Sequence, residues 1–165
     1  MHMHDLTLLT DLYQLTMMNG YLKNGKDKDV AVFDLFFRRN NVITYSVAAG
    51  LEQAVEYIQN IRFTESDIKY LRSLGLFDEA FLEYLKDFRF TGDVYAVPEG
   101  TLVFPEEPLL TVRAPLCEAQ LLETALLNIV NHQTLIATKS AKVAYAAKGD
   151  TVMEFGLRRA QGPDA

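Results

Sequence analysis

Two adjacent arginines near the end of the chain could bind an anionic ligand. The β-type run Thr151–Phe155 leads into a loop that carries Arg158, Arg159 and two glycines. In α/β folds, ligands bind outside the carboxyl ends of strands, where guanidinium groups offer several donors to phosphate or carboxylate. The ring of Phe155 could stack on a ligand, and the glycines permit close approach of the backbone. The pattern predicts a phosphate or carboxylate site, and a solvated Arg-Arg turn is the alternative.

Two further stretches carry side chains of the same chemical types. Tyr13 lies off the apolar stripe of its helix, so its ring could reach a ligand, and Asp11 could accept hydrogen bonds from an arginine or a ribose hydroxyl. The stretch Phe36–Arg39 is a second strand end with paired arginines. An amphipathic helix with a capping aspartate and a surface charge pair are the plain structural alternatives. Two such arginine pairs in an acidic chain favour a small, multiply phosphorylated ligand over a polyanion.

The histidines and the single cysteine form no recognisable metal site. His132 lies inside a long predicted helix without a Glu-x-x-His or His-x-x-x-His pattern, so we expect it to be satisfied by packing. His2 and His4 lie in the N-terminal tail. Cys117 stands alone, which excludes an internal disulfide and a cysteine-based zinc site. The sequence also lacks the glycine-rich nucleotide-binding signatures.

Composition and charge exclude several classes of protein. The 165 residues are 49% hydrophobic and 23% charged, with a formal net charge of −6. This composition is globular, and the negative charge disfavours binding to nucleic acid or to an anionic membrane. No apolar run approaches the roughly 20 residues of a membrane span, and no secretory signal is visible. We therefore expect a cytoplasmic protein that is too short for a complete (β/α)8 barrel of about 250 residues.

Hydrophobic periodicity predicts the elements that must position these side chains. The order is mixed, with a small antiparallel meander of three short strands before the longest helix. Helices are predicted over Asp5–Lys23, Gly50–Asn60, 64–75, Asp78–Asp87 and Cys117–Ala147, and strands over Val30–Arg38, Asp93–Ala96, Thr101–Phe104, Leu109–Val112 and Thr151–Phe155. The first of these strands is apolar at nearly every position, so we expect both of its faces to be covered.

The predicted fold class is α/β, with two parts. Residues 1–115 are expected to form an N-terminal α/β domain, and residues 116–165 the long helix and first strand of an incomplete, irregular α/β barrel. A buried strand at Val152–Phe155 needs sheet neighbours, and no later residue supplies them. We therefore expect the chain to be the N-terminal part of a longer protein. The alternative is that this strand pairs with Val30–Phe37 and completes a self-sufficient domain.

Seven short strings, spread along nearly the whole chain, occur together in one enzyme family. They are Leu9–Met17, Phe36–Arg39, Ala49–Gln53, Phe90–Val94, Pro98–Gly100, Glu123–Asn128 and Phe155–Asp164. The first and last strings are the most specific in combination. The chain thus resembles the N-terminal part of the nicotinate phosphoribosyltransferases.

The resemblance implies an activity and an assembly. Family members join nicotinate to 5-phosphoribosyl 1-diphosphate, giving nicotinate mononucleotide and pyrophosphate, which is the entry step of NAD salvage. ATP hydrolysis is coupled to the reaction through a phosphorylated histidine, and Mg²⁺ is expected with the diphosphate or with ATP. The family also implies a head-to-tail homodimer with shared active sites. Since the histidine is expected beyond Ala165, no catalytic residue is assigned here, and this segment alone is predicted to be inactive.

The resemblance also implies roles for individual side chains. Phe155 is expected to lie against one face of the pyridine ring, and Tyr13 of the other subunit to cover the second face. Arg158 is expected to contact the phosphoribosyl donor or the nicotinate carboxylate, with Arg159 nearby. An aromatic sandwich suits an electron-poor pyridine, and arginine suits diphosphate and carboxylate.

Some assignments in the same pocket are weaker, and the family pattern is not followed everywhere. Arg38 and Asp11 are the weaker candidates. Asn40 and Asn41 stand where the family often has a proline, so a different local turn is expected. Two alternative functions remain. One is a nicotinamide-using relative, which the Arg-Arg-Ala-Gln string disfavours. The other is a non-catalytic module that dimerises or binds pyridine nucleotides.

Overall fold

A computed structural model describes residues 6–38 and 43–160, and it confirms the predicted mixture of helices and small antiparallel sheets. The helices are α1 Leu12–Lys23, α2 Leu51–Asn60, α3 Glu65–Ser73, α4 Glu79–Lys86 and α5 Leu116–Ala146. The strands are β1 Val30–Leu35, β2 Ser46–Val47, β3 Asp93–Ala96, β4 Leu102–Val103 and β5 Leu110–Pro115, and a short 3-10 turn follows at Leu157–Arg159.

Local chemistry explains where the shorter helices begin. At α3, the Thr64 hydroxyl accepts from the Asp67 amide at 3.2 Å, and the Asp67 carboxylate accepts from the Thr64 amide at 2.7 Å. The two hydrogen bonds form a capping box, and the helix begins where the sequence predicts it. Helix α2 follows Gly50, whose φ of +98° suits glycine best. The Glu99 carboxylate caps α2 by accepting from the amides of Gly50 and Leu51 at 2.7 and 2.6 Å.

The strands pair differently from the predicted meander. The larger sheet has the order β1-β5-β3 and is antiparallel throughout, while β4 pairs with β2 in a separate two-stranded sheet. The prediction of three successive meander strands is therefore wrong for β4. Sequence pattern identifies short strands but not their partners, because pairing depends on contacts between distant segments. Gly92 allows β3 to run beside β5, since a Cβ at Gly92 would overlap Arg113 and Ala114.

Strand β1 is less buried than its composition predicted. Val30 and Val32 point to an open face of the sheet, and Val32 is 59% exposed. Leu35, at the other end of the strand, is buried in the core. The expectation that both faces are covered is wrong within the described chain, since α5 packs on only one face of this sheet.

The core is built around the first half of α5. Its side chains pack against α1, α2 and both sheets, and the most deeply buried of them are Cys117, Leu121, Leu122 and Ala125. The second half of this helix exposes apolar side chains instead, among them Leu135, Ile136, Val143 and Tyr145. The 31-residue helix therefore has a buried half and a solvent-facing half.

The strand predicted over Thr151–Phe155 is not formed. These residues have no strand pairing, and all five are exposed. The proposed pairing with Val30–Phe37 is also wrong, because β1 pairs with β5. A β-type sequence becomes a strand only when a partner edge satisfies its backbone groups, and no edge of the described sheets does so here.

Candidate functional site

A polar groove lies between the start of α1 and the middle of α5. Its volume is about 430 Å³. Two predicted site residues lie in its wall, together with six side chains from α5. The lining residues are Asp11, Tyr13, Glu123, Thr124, Leu127, Asn128, Asn131 and His132. Because α1 packs along α5, two strings that are more than a hundred residues apart in the sequence meet here.

Tyr13 presents its ring to the groove while its hydroxyl is held from two sides. The residue is 48% exposed. Its hydroxyl accepts from Gln14 Nε2 at 2.9 Å and donates to Glu123 Oε1 at 3.4 Å. Burial, then the charges of Glu123 and Asp11, raise the pKa of Tyr13, so the phenol stays protonated at neutral pH. The prediction that the Tyr13 ring reaches outward is confirmed.

Asp11 lies beside Tyr13 and is fixed by Thr124. The Thr124 hydroxyl donates to the Asp11 carboxylate at 3.0 Å and accepts from the Asp11 amide at 3.3 Å. Asp11 occupies the N-cap position of α1, but its side chain makes no capping hydrogen bond. Asp11 lies in the wall of the groove, where its carboxylate could accept from a hydroxyl or guanidinium donor.

His132 is exposed in the groove, so the prediction that packing would satisfy it is wrong. Thr124, Asn128 and His132 recur every four residues along α5, which places them on one face of the helix. This polar stripe is the sequence signal that could have identified the groove. It was hidden by the broad apolar stripe that runs along the same helix.

The remaining predicted residues lie mainly in the arginine loop, which we define as residues 154–160. Phe155 is 72% exposed, and Arg158 and Arg159 are exposed as well. Arg158 Nη1 donates to the Phe155 carbonyl at 3.1 Å, and the Gly156 amide donates to Glu154. The loop is therefore held by contacts within itself. The rest of the matching string, residues 161–164, lies outside the described residues.

Arg38 follows β1 and is exposed. Its neighbour Arg39 lies outside the described residues, so the predicted arginine pair is not described as a unit. Neither Arg38 nor any residue of the arginine loop lines the groove that holds Tyr13 and Asp11. The structure thus brings the predicted residues together in two sets, Asp11 with Tyr13 and Phe155 with the two loop arginines.

Two negative findings apply to the described residues. Across residues 6–38 and 43–160, no group of three or more His, Cys, Asp and Glu side chains could hold a metal ion. Over the same part of the chain, no helix combines the length and the apolar character needed to cross a bilayer.

The mixed helical and sheet architecture is that of a known N-terminal enzyme-family domain. The family model for the nicotinate phosphoribosyltransferase (NAPRTase) N-terminal domain matches residues 8–131. The chain belongs to the nicotinate phosphoribosyltransferase family.

Individual relatives match over nearly the whole chain. Nicotinate phosphoribosyltransferase of Bacillus subtilis is 51% identical over 161 residues, which cover 97% of this chain and 33% of the relative. Nicotinate phosphoribosyltransferase pncB2 of Mycobacterium tuberculosis (strain ATCC 25618 / H37Rv) is 48% identical over 159 residues, which cover 96% of this chain and 34% of the relative. The chain therefore spans about a third of the length of these relatives.

Solved structures support the fold. The crystal structure of human nicotinic acid phosphoribosyltransferase superposes with a TM-score of 0.85 at 43% identity, over 94% of this chain and 32% of that chain. The structure of nicotinate-nucleotide pyrophosphorylase from Pyrococcus furiosus gives a TM-score of 0.70 at 22% identity, over 98% of this chain and 35% of that chain. The second likeness concerns the fold alone.

Proposed function

We propose that the protein containing this chain is a nicotinate phosphoribosyltransferase. It joins nicotinate to 5-phosphoribosyl 1-diphosphate in the entry step of NAD salvage, with ATP hydrolysis coupled to the reaction. The observation that carries this proposal is the match of relatives with that name over nearly the whole chain. The groove and the arginine loop add side chains of the chemical types that such substrates need.

The proposed chemistry is a displacement at the anomeric carbon of the ribose. The pyridine nitrogen of nicotinate forms a bond to C1′, and the bond from C1′ to the diphosphate oxygen breaks. The electron pair leaves with pyrophosphate, so the transition state has oxocarbenium character. Holding the two substrates in line and neutralising the leaving diphosphate would then supply most of the rate acceleration.

We assign the side chains of this chain to binding rather than to covalent catalysis. Phe155 and Tyr13 are proposed to sandwich the pyridine ring, and both rings are exposed enough to do so. Arg158 is proposed to contact the phosphoribosyl donor or the nicotinate carboxylate, with Arg159 beside it. The phosphorylated histidine is proposed to lie beyond Ala165, because His132 belongs to none of the matching strings.

Asp11 and Arg38 are assigned to the same pocket more weakly. Asp11 lies in the wall of the groove, where its carboxylate could accept from a ribose hydroxyl. Mg²⁺ is proposed to arrive with the diphosphate or with ATP.

A shared active site would bring the two sets of residues together. We propose a head-to-tail homodimer in which Tyr13 of one subunit faces the arginine loop of the other. Charge complementarity supports this arrangement, because Asp11 and Glu123 make the groove acidic while the loop carries Arg158 and Arg159. The long exposed apolar surface on the second half of α5 offers further area for association.

The proposal includes a division of the chain into two parts and a cellular location. Residues 1–115 are proposed as an N-terminal α/β domain, and residues 116–165 as the segment that leads into a barrel. Thr151–Phe155 would then become a strand when the rest of the barrel supplies a partner edge. We also propose a cytoplasmic location, where a lone cysteine is ordinary and a disulfide framework is not needed.

The test combines the mass of the natural protein with an assay for nicotinate mononucleotide. A mass well above 18.7 kDa together with ATP-stimulated product formation supports the proposal. A natural product of 18.7 kDa without activity would instead favour the non-catalytic module that dimerises or binds pyridine nucleotides. Nicotinamide replaces nicotinate in a parallel assay, and preferential use of nicotinamide would favour the other alternative.

A further inference from the structure

A continuous set of hydrogen bonds connects the core to the Tyr13 ring. Gln14 is completely buried between α1 and α5. Its Nε2 donates to Glu123 Oε2 at 2.7 Å and to the Tyr13 hydroxyl at 2.9 Å, and its Oε1 accepts from Gln120 Nε2. Gln120 in turn accepts from the hydroxyl of Tyr21 at 3.5 Å. The Tyr13 hydroxyl is therefore linked to buried groups at the centre of the helix pair.

The donors and acceptors of this network allow one arrangement. A carboxylate only accepts, so Gln14 and Tyr13 are the donors in their contacts with Glu123. Gln14 then has both amide hydrogens engaged and must accept through Oε1. Leaving a buried amide group without hydrogen bonds costs free energy. These contacts therefore hold the whole Gln14 side chain in one conformation.

We propose that Glu123, together with Gln14, positions the Tyr13 ring as a preformed wall of the nicotinate site. The proposal rests on the proposed function, in which that ring covers one face of the pyridine. Glu123 acts through Tyr13 and is a positioning residue, not a catalytic one.

The gain from such positioning is entropic and electronic. A half-exposed tyrosine with a free hydroxyl would sample several orientations, and a ligand that stacks on it would have to order the ring. Hydrogen bonds on both sides of the hydroxyl remove that freedom before the ligand arrives. A phenol that donates to a carboxylate also has a more electron-rich ring, which suits an electron-poor pyridine.

Among the described residues of one subunit, Glu123 contacts neutral donors rather than a cation. None of the ion pairs found among residues 6–38 and 43–160 includes Glu123. Its two carboxylate oxygens are therefore divided between Gln14 and Tyr13.

The experiment compares variants of the full-length enzyme in steady-state assays with each substrate varied. Glu123→Ala removes the acceptor, and Tyr13→Phe removes the bound hydroxyl but keeps the ring. We expect both to raise the KM for nicotinate about two- to tenfold, with kcat and the KM for 5-phosphoribosyl 1-diphosphate nearly unchanged. Glu123→Gln keeps one acceptor and should give a smaller rise. The double variant Glu123→Ala/Tyr13→Phe should show no more than either single change.

The matched control is Glu56→Gln on the exposed face of α2, which should behave as the unmodified enzyme. Additive effects in the double variant would overturn the proposal, since Glu123 would then not act through Tyr13. A change in both KM values and kcat together would reduce Glu123 to a structural role and also overturn the proposal, whereas a lower melting temperature is expected in any case because Glu123→Ala leaves the buried Gln14 amide with one acceptor fewer.

The Tyr13→Ala variant separates this proposal from the proposed function. If Tyr13→Ala raises the KM for nicotinate but Glu123→Ala and Tyr13→Phe do not, positioning by the hydroxyl is wrong and ring stacking stands. If Tyr13→Ala leaves the KM unchanged, the assignment of Tyr13 to the nicotinate site fails, and the positioning proposal fails with it.

Discussion

The Tyr13 groove and the arginine loop both present candidate binding side chains, but the two regions differ in how those side chains are held in place. In the groove, Tyr13 and Asp11 are held by hydrogen bonds to α5, and a completely buried amide lies directly behind them. In the loop, Phe155 and Arg158 are exposed and are held by contacts within a few residues. One set of proposed binding residues is ordered by the domain itself, while the other lies exposed on its surface.

The difference shows that two sequence strings typical of the same family can differ in how firmly the structure holds their side chains before a ligand binds. A side chain fixed by core contacts has already lost its conformational freedom, so a ligand does not have to order it. A loop without core contacts must gain order from a partner surface or from the ligand. We therefore expect changes in the groove region to affect stability and ligand affinity, and changes in the loop to affect function alone.

Core truncation should give the largest effect. Leu121→Ala, next to the groove network and completely buried, is expected to lower the free energy of unfolding by about 2–5 kcal/mol because it leaves a cavity. Leu157→Ala is the matched change in the loop, where Leu157 is 79% exposed, and should cost less than about 0.5 kcal/mol. Denaturant titration measures both, and equal losses would contradict the division between the two regions.

Arg158→Ala should separate function from stability most clearly. Since Arg158 is proposed to neutralise an anionic substrate, we expect kcat/KM of the full-length enzyme to fall by roughly 10²–10³. The melting temperature should stay the same, because the side chain contacts only its own loop. Lys28→Ala removes another exposed cation and is the control. Parallel losses of activity and melting temperature would argue for a structural role of Arg158.

Tyr13→Ala should have a smaller effect, confined to nicotinate. Stacking beyond simple burial of area is worth about 0.5–1.5 kcal/mol, so the KM for nicotinate should rise several-fold. Isothermal titration of nicotinate checks the same change at equilibrium. An unchanged affinity would place the pyridine ring elsewhere.

The stability of the packed core behind the groove should also depend on pH in the alkaline range. Burial, then the charges of Asp27 and Glu118, raise the pKa of the Cys117 thiol from 9.0 to about 12. The folded state therefore favours the protonated thiol, and this contribution is complete below the unfolded value and is lost as pH rises toward the folded one. The free energy of unfolding should therefore decline between about pH 9 and pH 12.

Cys117→Ala provides the comparison, because it removes this titration and should make the decline shallower. Burial raises the pKa of Tyr57 and Tyr84 as well, so some decline should persist in the variant. Stability that increases over this pH range would contradict the assignment.

Some features of the site followed directly from the sequence. Tyr13 was expected to face outward because it lies off the apolar stripe of its helix, and the structure confirms this. The start of the helix at Thr64 was also predicted correctly. Each of these depends on residues within one or two helical turns, so local spacing is enough to identify it.

Other features depended on contacts that no local pattern contains. His132 was expected to be packed and is exposed, because the neighbours of α5 decide which of its faces is covered. The pairing of β4 with β2, the open face of β1 and the absence of a strand at Thr151–Phe155 have the same cause.

By itself, the sequence determined the five helices, most of the strands and the chemical types of the proposed binding side chains. It also established the family, through strings whose residues stay recognisable without any coordinates. Only the tertiary structure decided that Tyr13 and Gln14 meet Glu123 across two helices, although Gln14 and Glu123 are 109 positions apart in the sequence. Hydrogen bonds between such distant residues form only after both helices have packed on a common core, because chain connectivity alone does not hold them within reach.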